Sequence, residues 1–152
     1  MPKAFRFRFD PVLRYRRIWE ERRKRDFAVA RMDVERQQGL LGKLRESERL
    51  ERKELEGLRR GSLDLAAIRM HMTYMSAIGR QIAVGDLELI RLREVEEEKR
   101  QDYSRARRDV AVLEKYRDNQ RDAHNKDLDR VEQKNLDEIA VRRAALSLQP
   151  GR

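Results

Sequence analysis

Two histidines, His71 and His124, and one dense carboxylate run, Glu94, Glu96, Glu97 and Glu98, are the groups with types suited to catalysis or metal binding. A zinc site or an acid–base pair needs ligands that converge. The histidines stand far apart in sequence, and there is no cysteine to complete a ligand set. Both histidines read as solvated helix residues, and the carboxylate run reads as a charged helix face. The lack of cysteine also removes disulfides and thiolate nucleophiles. Neither phosphate-cradling pattern, G-x-x-x-x-G-K-[ST] or G-x-G-x-x-G, occurs, and the seven glycines are dispersed. The sequence thus predicts no catalytic residue, no metal, no cofactor and no nucleotide site, and a protein that is not an enzyme.

Binding to other macromolecules is what remains. Charged residues make up 43% of the 152-residue chain and apolar ones 39%, with four Phe, four Tyr and one Trp. A globular domain has about 25% charged residues, whereas coiled coils are dominated by Ala, Glu, Lys, Leu and Arg. Low hydropathy also suits a disordered chain, but here the apolar residues are periodic. The net charge of +9 is uneven. Residues 1–25 hold ten basic side chains (Lys3, Arg6, Arg8, Arg14, Arg16, Arg17, Arg22, Arg23, Lys24, Arg25) against three acidic ones (Asp10, Glu20, Glu21). Such an end attracts acidic protein, nucleic acid or anionic lipid, and charge alone does not choose among them. Against a nucleic-acid reading, carboxylates are mixed along most of the chain, and no zinc-finger or RNA-recognition signature is present. No run approaches the roughly 18 apolar residues that span a bilayer. Met1 to Phe9 is basic but has no apolar stretch of the secretory kind, so a cytoplasmic location is expected.

The elements follow from the spacing. Phe5, Phe7 and Phe9 alternate with arginine at period two, which predicts an extended basic lead-in over 1–10. Asp10-Pro11 is a helix start, with aspartate able to cap free amides and proline tolerated at the first position. Phe27, Ala30, Val34, Gln37, Leu41, Leu44, Glu48, Glu51, Leu55 and Leu58 then step by three and four, the mark of a seam against one partner helix. Upstream, Val12, Tyr15 and Trp19 form a stripe in another phase. A first helix is predicted over about 11–58 and a turn over 59–62, where Gly57 and Gly61-Ser62 break the pattern, with Ser62 as the next N-cap. A second helix is predicted over about 63–147, and 148–152 form a tail after its end.

The second seam reads Leu65, Ile68, Met72, Met75, Gly79, Ile82, Asp86 and Leu89, then Leu92, Val95, Tyr103, Ala106, Val110 and Leu113. Gly79 and Gly85 predict local bending, at about 1 kcal/mol each relative to alanine. The predicted fold is all-α: a long two-helix antiparallel coiled-coil hairpin with a longer second helix. A turn centred near 60 sets Arg22, Arg23, Lys24 and Arg25 beside Glu96, Glu97 and Glu98, and leaves residues beyond 111 or so unpaired. The apolar run Met70, Met72, Tyr74, Met75, Ile78 and Ile82 reads equally as packing near the turn or as an adaptable partner surface.

Two segments resemble the FliJ family of flagellar export proteins. Phe7-Arg-Phe9-Asp-Pro-Val12-Leu13-Arg-Tyr-Arg16 is similar to that family's N-terminal pattern, and Glu132-Gln-Lys134-Asn-Leu136-Asp137-Glu138-Ile139-Ala140-Val-Arg142-Arg143 to its C-terminal signature. Tyr74-Met75-x-x-Ile78 resembles a central aromatic–apolar step. The resemblance implies a cytoplasmic central-stalk component of the flagellar type III protein export apparatus, peripheral at the inner face of the inner membrane beneath the basal body. It implies as partners a hexameric export ATPase, the membrane export gate and export chaperones. It assigns ATPase contact to Glu132, Lys134, Leu136, Asp137, Glu138, Ile139, Arg142 and Arg143. More loosely, it assigns gate contact to Tyr74, Met75, Ile78 and Ile82. The stalk of a virulence-type injection system and a generic coiled-coil scaffold are the other readings. The strongly basic N-terminus departs from the family's general run.

Overall fold

The structure, a computed structural model, describes residues 3–148. Two helices account for nearly all of them: α1, Asp10–Arg60, and α2, Leu65–Ser147. They pack antiparallel, α2 is the longer, and no strand occurs among the described residues. The fold is the expected all-α hairpin. Of the tail predicted at 148–152, only Leu148 lies within the described residues.

α1 begins one residue earlier than the spacing suggested and ends two later. Asp10 is its first residue, but its carboxylate accepts from Arg14 Nε at 3.0 Å, four residues on, where amide capping was anticipated. The turn occupies residues 61–64, two places beyond the prediction, because Asp64 and not Ser62 caps α2. Its Oδ1 accepts from the backbone amides of Ala66 at 3.0 Å and Ala67 at 3.2 Å, the amides left open at a helix start. α2 then runs unbroken through Gly79 and Gly85, neither of which has a positive φ.

The residues cluster into two compact units. In the first, Glu20–Arg105, all ten positions of the α1 seam from Phe27 to Leu58 are buried or half-buried. Ala30, Val34, Leu41 and Leu55 are the most enclosed of them. Opposite, the α2 seam differs from its reading in three places, the first being Leu65, which is exposed. His71 and Ile78 turn inward where Met72 and Gly79 were expected, and Gly85 is buried. The pairing is also displaced. Arg23 reaches Asp102 at 3.9 Å, and Phe27 stacks on Tyr103 with ring centroids 6.3 Å apart. The pairing of Arg23 thus lies four residues beyond Glu98, the last of the carboxylates expected opposite Arg22–Arg25. In an antiparallel pair, a turn shifted by two residues moves every partner by four.

The second unit joins Met1–Trp19 to Ala106–Arg152. Its core is Phe7, Leu13 and Val110, flanked by Phe5 and Leu113. Leu13 is completely buried, whereas Val12 and Tyr15 of the expected stripe are exposed. Helix pairing continues through Arg16 to Asp109 at 3.3 Å and Arg17 to Glu114 at 2.9 Å. These exposed ion pairs help fix orientation and contribute little stability each.

Candidate functional site

The lead-in over residues 3–9 is non-helical, as its period-two pattern requires, but it is not a free arm. It lies along α2 as a strap. Phe7 turns inward and meets the Tyr116 ring edge-on at 6.1 Å, and Phe9 approaches the same ring at 6.1 Å. At the far end, His124 Nε2 donates to the Lys3 carbonyl at 3.1 Å, and its ring lies 5.8 Å from that of Phe5. His124 is thus a clasp for the strap and not a solvated residue. His71 is likewise half-buried, with its Nδ1 against the Glu51 carboxylate. Among the described residues, neither histidine has a second imidazole or a carboxylate cluster to work with. No group of three or more His, Cys, Asp or Glu able to hold a metal lies among the described residues.

The strap changes where the unpaired part of α2 begins. The reading that everything beyond 111 or so lacks a partner is overturned, because Phe5, Phe7 and Lys3 cover α2 as far as His124. The signal was present in the sequence: three phenylalanines on one side of an extended segment need a surface to bury against. Beyond Leu128, every described residue of α2 is exposed, from 129 to 148.

All eight residues assigned to ATPase contact by resemblance fall in that uncovered stretch. Leu136 and Ile139 are 66% and 48% exposed, and Arg142 lies 3.9 Å from Glu138 on the same helix. Lys134 and Arg143 have no carboxylate partner among the described residues. The stretch therefore offers apolar side chains and charges of both signs to whatever surrounds it.

The four residues assigned to gate contact are divided. Tyr74 is exposed, Met75 and Ile82 are half-buried, and Ile78 is only 3% exposed and belongs to the seam. The methionine-rich run is divided in the same way. Met75, Ile78 and Ile82 pack, while Met70, Met72 and Tyr74 face outward. Exposed methionine on a helix adapts to irregular partner surfaces.

The carboxylate run behaves as a helix face. Glu97 accepts from Arg100 at 2.6 and 2.8 Å and from Gln101 at 3.2 Å. The hydrogen bonds from Arg100, then that from Gln101, hold its carboxyl well below the usual range, at about 2. A group so firmly ionised does not shuttle protons near neutral pH. No helix among the described residues is long and apolar enough to cross a membrane.

Comparison with known proteins agrees with the geometry. A family model described as "Flagellar FliJ protein" matches residues 5–149, nearly the whole chain. No curated protein and no solved structure matches.

Proposed function

The chain belongs to the FliJ family of flagellar proteins, and from that premise we propose that it is the non-enzymatic central-stalk component of the flagellar type III export apparatus. In this reading it binds the hexameric export ATPase and promotes ring assembly. It also contacts the export gate and the chaperones, at the inner face of the inner membrane.

The observation that carries the reading is the uncovered end of α2. Residues 129–147 continue as helix with every residue exposed. An isolated helix of that length is marginal in water, so a partner packing on it would stabilise it. Leu136 and Ile139 supply the apolar contact, while Lys134, Arg142 and Arg143 face carboxylates of a ring interior. One stalk inside a ring touches subunits unequally, which favours closed subunit interfaces and leaves hydrolysis to the ATPase. Tyr74, with its exposed neighbours Met70 and Met72, is the gate-facing surface. The family match over 5–149 favours the flagellar apparatus over an injection system.

The test is the ATP hydrolysis rate of the cognate export ATPase, with the full chain and with a truncation ending before Val131. Stimulation by the full chain alone supports the stalk role and locates the contact. Equal stimulation by both moves the contact elsewhere. No stimulation by either, with both proteins folded, favours a scaffold or chaperone adapter.

A further inference from the structure

The first turns of α1 and the strap share an outer surface that ring engagement by α2 does not use. Pro11, Arg14, Tyr15 and Ile18 are spaced i, i+3, i+4 and i+7, so they occupy one face of the helix. That face points away from Leu13, which is fully buried against α2. Tyr15 and Ile18 are each 55% exposed, large apolar groups left in water side by side. Adjoining them is a groove of about 620 Å³ whose lining includes Arg6, Arg8, Arg14 and Arg117. Because Phe7 turns inward, its neighbours Arg6 and Arg8 in the extended strap turn outward. Neither has a carboxylate partner among the described residues. Asp10 in the groove is held by Arg14, and Arg117 is paired with Asp118 at 3.2 Å.

We propose that this face docks onto an anionic lipid bilayer, with Arg6 and Arg8 taking headgroup phosphates and Tyr15 and Ile18 entering the interfacial layer. Arginine presents several donors in a planar fork matched to phosphate oxygens. Tyrosine sits well at headgroup depth, where its ring is in apolar surroundings and its hydroxyl in water. An amphipathic face that pairs basic with apolar side chains is the pattern of a helix lying in the interface. An acidic polypeptide would have to match these charges in a fixed register along a strap and a helix turn. A fluid surface meets them without one, and it also accommodates the protruding Tyr15 and Ile18.

The measurement is co-sedimentation of the purified full chain with vesicles of phosphatidylcholine alone and of phosphatidylcholine with phosphatidylglycerol. It uses no ATPase, so its outcome is independent of the stalk reading. Binding is expected to the anionic vesicles only and to weaken as salt rises. Each arginine near the surface changes partitioning about fivefold, so Arg6→Gln with Arg8→Gln lowers it roughly 25-fold. Tyr15→Ser with Ile18→Ser, both at exposed positions, removes the part of the binding that survives high salt. Circular dichroism shows that each variant keeps its helix content.

Several results overturn the proposal. One is a folded wild-type chain that ignores anionic vesicles; another is equal binding to both vesicle types. Unchanged binding by the double arginine variant does the same. Displacement from vesicles by millimolar inorganic phosphate means a discrete anion pocket. Capture of polyglutamate without vesicle binding means an acidic polypeptide is the partner.

Discussion

Leu41 fills the space that a side chain on Gly85 would need: a Cβ built there lies 2.6 Å from Leu41 Cδ2 and 3.2 Å from Gln37 Nε2. Gln37 also donates to the Gly85 carbonyl at 3.1 Å, so α1 and α2 meet closely at this point. Leu41 is only 1% exposed. Gly79, six residues earlier on α2, has nothing within 4 Å of the same constructed atom.

Substituting the two glycines should therefore give opposite signs. Gly79→Ala gains helix propensity, about 0.5–1 kcal/mol, with no clash. Gly85→Ala gains the same propensity but overpacks a closed site, at about 1–3 kcal/mol, for a net loss near 1 kcal/mol. Urea unfolding of both variants decides it. Stabilisation by both would show that Leu41 yields freely.

The strap makes a second prediction. Phe7 is buried against Leu13 and Val110, so Phe7→Ala should cost about 2–4 kcal/mol, less than a full aromatic deletion in a closed core. Hydrogen exchange should then quicken at the α2 residues the strap covers, around 110–124, and stay unchanged in 129–148, which it never touches. Equal exchange in the two regions of the wild type would mean that the strap is not held in solution.

The strap also shows what the sequence disclosed and what it did not. From Phe27 to Leu58 one apolar phase exists, so all ten α1 seam residues could be read directly. Near the start of α1, Val12 and Leu13 are adjacent and either could lead a stripe. Only the presence of Phe7 and Val110, more than a hundred residues apart, selects Leu13. In α2, Met70, Met72 and Met75 offer two phases in the same way, and burial of Ile78 settles the choice. The turn was misplaced because Gly61-Ser62 is a good local signal, but Asp64 caps better, and that small error moved the whole register. The uncovered end of α2 was legible in kind from the length asymmetry. Its starting point was not, because it depends on a segment folding back from the other terminus.

Acid should act through the helix-face ion pairs. Glu97 is held at about 2 by Arg100 and Gln101, against an ordinary value of 4.5, and Arg49 and Arg91 lower Glu46 and Glu88 in the same way. Above about pH 4.5 these carboxylates are ionised whether the chain is folded or not, and their contribution is complete. As pH falls from there toward 2, the unfolded chain takes up protons first and the contribution is lost. These groups are fully exposed, so solvent and salt screen the effect. The difference in Tm between wild type and Glu97→Gln should accordingly shrink to nothing over that interval. A difference that persisted at pH 2 would mean that the glutamine variant perturbs the helix by some other route.

The last prediction separates stability from binding at the far end of α2. Leu136 and Ile139 are exposed and belong to no buried cluster among the described residues, so replacing both with alanine removes no core. Alanine also has the higher helix propensity. Leu136→Ala with Ile139→Ala should leave the helical circular dichroism and the unfolding midpoint within about 0.5 kcal/mol of wild type. The same variant should weaken ATPase binding at least tenfold, the scale of losing about 1.4 kcal/mol from a contact that closes around two apolar anchors. Hydrogen exchange supplies the complementary reading: amides from 129 to 148 should exchange fast in the free protein and become protected on mixing with the ATPase. Loss of helicity in parallel with loss of binding would mean that the two side chains support the helix itself and do not form the contact.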